Sequence, residues 1–142
     1  NKLTINTLEQ NLDLFLIKGI LNGQEETIII DSGATCNLIT NQICKEYVPR
    51  KEEAYTLVSK VELIGYTQLP ILVEGYYGKE EFQVIESVEK KIILGMPWLT
   101  KHNPSINWKR KIIETPKDSV EVSAQQFKKL AKEHQVFQIV LT

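Results

Sequence analysis

Ile28-Ile29-Ile30-Asp31-Ser32-Gly33-Ala34-Thr35 is the stretch on which the reading of this chain turns. Three β-branched apolar residues run into a carboxylate, a hydroxyl and a glycine. Isoleucine suits a pleated, packed surface and loses rotamer freedom in a helix, so the run reads as a buried strand. Asp31 then stands where that strand opens into a tight turn, with Gly33 to relax the backbone. A carboxylate beside a dry strand is costly to ionise without a partner, and that cost suggests chemistry. Asp-Ser-Gly is also ordinary turn vocabulary, because Asp and Ser bond their own backbone and Gly supplies positive φ. The triplet alone decides nothing; its context must.

Bulk properties narrow the field. A chain of 142 residues fits one domain with a single core. Its 42% apolar and 25% charged residues are ordinary for a globular protein. A formal net charge of −1 gives no general attraction to nucleic acid or to an anionic membrane. The basic cluster Lys109-Arg110-Lys111 reads as a solvated hairpin turn. No apolar run approaches the ~18 residues of a membrane span, and the N-terminus shows no signal-peptide pattern. Cys36 and Cys44 make no close metal-ligand pair, and His102 and His134 lie far apart, so neither metal nor cofactor is expected. The cysteines read as buried, reduced thiols of a cytosolic protein. The chain starts at Asn1 and its only methionine is Met96, as in a piece of something longer.

Outward from Asp31, the preceding segment predicts a hairpin. Leu14–Ile17 leads through Gly19 to Asn22-Gly23, the strongest short hairpin signal, and Thr27–Ile30 is the returning arm. Residues 1–12 are weakly patterned and suit an edge strand or arm. After the turn, Cys36–Ile39 reads as extended, and 41–47 as a short helix capped by Thr40 and ended by Pro49. Residues 50–64 are polar and then alternate, as in a projecting two-stranded arm without a strong turn signal. Gly65 and Pro70 punctuate the way to a second hairpin, 71–73 with 82–85, joined around Gly75 and Gly78.

The second hairpin echoes the first: Gly78-Lys79-Glu80-Glu81-Phe82 matches Gly23-Gln24-Glu25-Glu26-Thr27, a hint of an internal repeat. Its apolar run Ile92-Ile93-Leu94 also ends in a glycine, Gly95. Pro97 suits the first turn of a helix that runs to His102 and stops at Asn103-Pro104. Ile106–Trp108 and Ile112–Glu114 read as strands around the basic turn. Ser123 and Gln126 form a capping box for a helix with Phe127, Leu130, Ala131 and His134 on one face, before a strand at 136–141.

Ile29-Ile30-Asp31-Ser32-Gly33-Ala34-Thr35 with Leu38-Ile39 resembles the active-site segment of retropepsin-type aspartic proteases. Ile92-Ile93-Leu94-Gly95-Met96-Pro97-Trp98-Leu99 resembles their second signature. That wording, followed by Asn103-Pro104-Ser105-Ile106-Asn107-Trp108, is similar to proteases of gypsy-type LTR retrotransposons. The tail 123–137 resembles the connector toward reverse transcriptase. The implied fold is all-β: a closed retropepsin-like barrel with one or two short helices over residues 1–115. A C-terminal helix-strand extension would follow over 116–142.

The resemblance implies a homodimeric aspartic endopeptidase of a Gag-Pol polyprotein. It would be cytoplasmic, within virus-like particles, and would bind extended peptide without nucleic acid, membrane, metal or cofactor. Asp31 is then catalytic, paired with its copy because one Asp-Ser-Gly per chain completes only half a site. Asp13 and Asp118, the other aspartates, carry no such triplet. Ser32 would knit the two loops across the axis, Gly33 would admit substrate backbone, and Ala34 and Thr35 would line the site. Ile93, Leu94 and Gly95 would brace the loop, and the arm at 56–64, with Ser59, Lys60 and Val61, would be the flap. That arm lacks the family's usual glycine, and Ser32 stands for the commoner threonine. The alternative is a domesticated or inactive retropepsin-like module that dimerises or holds peptide without cutting.

Overall fold

The computed structural model describes residues 3–5, 14–132 and 137–141. The first hairpin forms as its turn dictates: β2 (Phe15–Leu21) pairs antiparallel with β3 (Gln24–Ile30), register Phe15↔Ile30 to Leu21↔Gln24. Asn22 and Gly23, with φ of 50° and 84°, supply the left-handed pair that matches strand twist. Beyond the Asp31 turn come β4 (Leu38–Thr40), β5 (Val48–Tyr55), the long β6 (Lys60–Val73) and β7 (Tyr76–Ile85). Next are β8 (Ile92–Leu94) and α1 (Met96–His102).

Six strands close on themselves. The order β6-β2-β3-β8-β4-β7 is joined into a ring by the β6–β7 pairing, which gives the expected closed barrel. Strand β8 lies between β3 and β4, parallel to the first (Ile29↔Ile93, Ile30↔Leu94) and antiparallel to the second (Leu38↔Ile93). This explains the unbroken apolar runs. Successive side chains alternate faces, and here both faces are buried. Ile28 and Ile30 join the barrel core with Leu94 and Trp98, whereas Ile29 faces a second cluster with Ala34, Leu63 and Ile93.

The remaining elements decorate this barrel. The strands β9 (Ile106–Asn107) and β10 (Ile112–Ile113) pair around the basic turn. Then follow β11 (Val120–Val122), α2 (Ala124–Ala131) and β12 (Phe137–Leu141). The capping box closes in both directions: Ser123 Oγ accepts the Gln126 N–H at 3.2 Å, and Gln126 Oε1 accepts the Ser123 N–H at 2.9 Å. Strand β12 adds to β7 at Tyr76–Tyr77, and Phe127 meets Tyr77 edge-on at 5.2 Å. His134 and Asp13 lie outside the described residues, as do most of residues 1–12; of these, Leu3–Thr4 form β1, parallel to β5.

Several local expectations are corrected. The segment after Thr40 is a run of turns and not a helix. The Thr40 hydroxyl that was to cap it accepts the Lys91 N–H at 3.1 Å, and the Asn41 N–H goes to the Ile85 carbonyl at 2.9 Å. Gly65 and Pro70 interrupt nothing, since both lie inside β6. A Cβ on Gly65 would come within 2.4 Å of the Val48 carbonyl, so that glycine lets two strands approach. Pro49 does not end a segment but lies in β5, beside a register shift. The second hairpin turns at Glu74-Gly75 (φ 45° and 88°), while Gly78 sits in β7 opposite Ile71. The proposed repeat was therefore misaligned: Gly75, not Gly78, is the counterpart of Gly23.

Candidate active site

Asp31 follows β3 directly, and its N–H donates to the Leu94 carbonyl of β8 at 3.0 Å. The turn closes where the Ala34 N–H reaches the Asp31 carbonyl at 3.1 Å. The carboxylate itself is buried. Its Oδ1 accepts the Gly33 N–H at 2.9 Å, and its Oδ2 is buried without a hydrogen-bond partner. Gly33 thus contributes an N–H two residues on, the Asx geometry its neighbours suggested. Positive φ is used at Gly23 and Gly75 and not at Gly33. Ser32 and Gly33 are exposed beside the carboxylate.

The loop is held from behind by β8 and its glycine. The Met96 N–H donates to the Ala34 carbonyl at 2.8 Å. A Cβ on Gly95 would fall 2.4 Å from the Cys36 carbonyl and 2.6 Å from that of Ala34. Only glycine fits so close an approach of two backbones. Ile93 and Leu94 are fully buried between β3 and β4.

Asn37 was missed by sequence reasoning. It is buried, its Oδ1 accepts the Gly95 N–H at 3.0 Å, and its Nδ2 donates to the Glu81 carbonyl at 3.2 Å. Its own carbonyl accepts the Gln83 N–H at 2.8 Å. One amide thus ties the Asp31 turn to β8 and β7. The signal was present: a single polar residue inside the apolar run Cys36–Ile39.

Thr4 was also missed. Its hydroxyl donates to the Gly33 carbonyl at 3.2 Å and its N–H to Thr35 Oγ1 at 2.9 Å. In return, its carbonyl accepts the Thr35 N–H at 3.1 Å. Ala34, expected to line the site, is wholly buried in the cluster that contains Ile5. Cys36 is buried as expected, while Cys44 is half-buried and donates to the Glu46 carbonyl at 3.0 Å. Burial first, then the negative charges of Glu52 and Asp31, push the Cys36 thiol up to about 12.

The projecting arm is β5 with β6, and it begins at Val48, well before residue 56. Its tip turns without glycine because Thr56 supplies the missing geometry. The Thr56 hydroxyl accepts the Ser59 N–H at 3.0 Å, and the Thr56 N–H donates to the Ser59 carbonyl at 2.9 Å. Leu57 and Val58 stand exposed at the tip. Ser59 lies in that turn, and Lys60 is exposed, 3.6 Å from Glu53. Val61 packs on the Ile5 cluster, so the arm leans over the Asp31 loop. Among the described residues no group of histidine, cysteine, aspartate and glutamate could hold a metal ion.

A closed barrel with β8 between β3 and β4, and an Asp-Ser-Gly turn at that junction, defines a retropepsin-like domain. Residues 27–124 match the PEG10/RTL1 protease domain, and the chain belongs to that family. The matched span holds the Asp31 loop, the arm and the Gly95 signature. The fold is also similar to the retroviral protease-like domain of Ddi1 from Leishmania major, with a TM-score of 0.57. Identity there is 20%, over 72% of this chain and 88% of that one, which bears on the fold alone.

Proposed function

We propose that this chain is a homodimeric aspartic endopeptidase that cuts a Gag-Pol-like polyprotein of a gypsy-type LTR retrotransposon, in the cytoplasm within virus-like particles. The observation that carries the reading is the Asp31 carboxylate. One oxygen is fixed by Gly33, and the other is buried without a partner beside exposed Ser32. A buried acceptor left open is costly, and a shared proton or a water held between two such carboxylates would satisfy it. One Asp31 then takes a proton from the water that attacks the scissile carbonyl, and the other donates to the carbonyl oxygen. Proton transfer to the leaving nitrogen completes the cleavage. The pH profile would belong to the pair and not to either carboxylate.

What supports the dimer is that each chain carries one such triplet and exposes an apolar face beside it. Ser32, Met96, Leu99, Thr100, Ile106 and Trp108 surround a depression of about 640 Å³, with Met96 41% and Trp108 51% exposed. A second copy placed there would bring the two Ser32-Asp31 loops together. The test is to incubate the chain with Gag-derived peptides from acidic to neutral pH, beside Asp31→Asn. Cleavage by the wild type alone is expected, and equal cleavage by both would remove Asp31 from the mechanism. A second reading, a module that holds peptide without cutting, is favoured by the way residues 3–5 fill the space under the arm. Failure of the wild type to cut anything in a broad peptide library would establish it.

A further inference from the structure

We propose that the groove between the Asp31 loop and the β5–β6 arm is a strand-binding site, and that the chain's own residues Leu3–Ile5 fill it. An incoming peptide would have to displace them. The proposal rests on the peptidase reading for what the displacing peptide is, but not for the contacts themselves.

Strand β1 is two residues long and touches both walls of the groove. On the arm side it runs parallel to β5, with Leu3↔Ala54 and Thr4↔Tyr55, and the Ile5 N–H donates to the Tyr55 carbonyl at 2.9 Å. On the loop side the Thr4 N–H donates to the Thr35 hydroxyl, the Thr4 carbonyl accepts the Thr35 N–H, and the Thr4 hydroxyl donates to the Gly33 carbonyl. These contacts lie two to four residues from Asp31. Most use main-chain N–H and carbonyl groups, so any extended peptide of suitable register could make them.

Two features are selective. Ile5 is fully buried among Ile29, Ala34, Ala54, Leu63 and Ile93, a pocket walled by aliphatic side chains. The Thr4 hydroxyl, one residue before it, finds the Gly33 carbonyl. The ligand chemistry is therefore an extended segment with a hydroxyl residue followed by a branched aliphatic one. Filling the pocket is worth roughly ten- to hundredfold in affinity, and each hydrogen bond about two- to tenfold.

Self-occupancy turns this into a filter. A tethered segment competes at an effective concentration on the order of millimolar. A peptide that contacts one half-site only would lose that competition. One that also engages the partner's groove would win it. The device thus favours substrates that span the whole dimer.

The test uses the full chain carrying Asp31→Asn, so that no probe is cut, and a fluorescent peptide Asn-Lys-Leu-Thr-Ile-Asn copied from residues 1–6. Thr4→Pro removes a donor and a hydroxyl, and Ile5→Asp empties the aliphatic pocket. Each variant should bind the peptide at least about tenfold more tightly than the parent, as anisotropy reads it. Amide exchange at Ile93 and Leu94 should stay protected in both variants. Equal binding by parent and variants, including no binding by any, would overturn the proposal. So would loss of protection at Ile93 and Leu94, which would make residues 3–5 a fixed part of the core. Because the readout is binding, a failed cleavage assay leaves this result standing on its own.

Discussion

Replacing Asn37 tests whether the Asp31 loop is held as the geometry says. Asn37→Leu keeps the branched shape and heavy-atom count of the side chain but removes both polar ends. The Gly95 N–H then loses its acceptor in a buried place, and the Glu81 carbonyl loses its donor in a partly buried one. A buried polar group left without a partner costs about 1–3 kcal/mol, and the partly buried Glu81 carbonyl costs less, so the pair should cost about 2–4 kcal/mol. Against a typical total of about 5–15 kcal/mol that is a large share. The urea midpoint should fall by about 1 M or more, with little change in slope. Asn37→Ala should lose at least as much, because a small cavity adds to the same two orphaned groups. Peptide cleavage per folded molecule should also fall, since Gly95 and the turn it supports are free to shift. If Asn37→Leu unfolds within about 0.5 kcal/mol of the wild type, the amide is not the tie described here.

Other outcomes follow from the same contacts. Thr56→Val deletes the hydroxyl that replaces glycine at the arm's tip, so Ser59 amide exchange should quicken while the melting temperature barely moves. Cys36 stays a neutral thiol because its pKa is raised, so its contribution to stability is complete below the unfolded value near 9 and is lost as pH climbs toward 12. Between those limits wild type should lose up to about 1.4 kcal/mol per pH unit more than Cys36→Ala, in denaturation series at fixed salt. At neutral pH iodoacetamide should alkylate Cys44 well before Cys36. Met96→Lys places a charge on the exposed face beside Ser32; sedimentation should show dimerisation weakened at least about tenfold, with monomer stability held within about 0.5 kcal/mol.

The parts of this molecule visible in its sequence were those fixed by local rules. Asn22-Gly23 demands a left-handed turn, Ile28–Ile30 demands burial on both faces, and Ser123 with Gln126 can satisfy two amide donors. Each is decided within a few residues. What escaped depends on neighbours far along the chain. Thr40 looked like a helix cap, yet its hydroxyl is claimed by Lys91, 51 residues away. Gly65 looked like a break, but its lack of a Cβ serves the approach of Val48. Asn37 bonds Gly95 across 58 residues and Glu81 across 44, so nothing nearby explained a polar residue there. The glycine-free turn at Thr56 was local and legible in principle, since threonine can bond the N–H three residues on.

The bracing of Asp31 also bears on the proposed dimer. The turn takes bonds from β8 through Leu94, from the first residue of α1 through Met96, from β7 through Asn37, and from the N-terminal strand through Thr4. Segments from four parts of the chain therefore fix one carboxylate before any second subunit arrives. In the proposed dimer, association need not order the loop, and the entropy of that ordering is not charged against the interface. Of these braces, only Thr4 is bonded to the exposed side of the turn, at the Gly33 carbonyl and Thr35. It can leave without disturbing Leu94, Gly95 or Asn37. A loop that keeps its shape when one brace departs is what a groove must have if its own chain is to vacate it for a peptide.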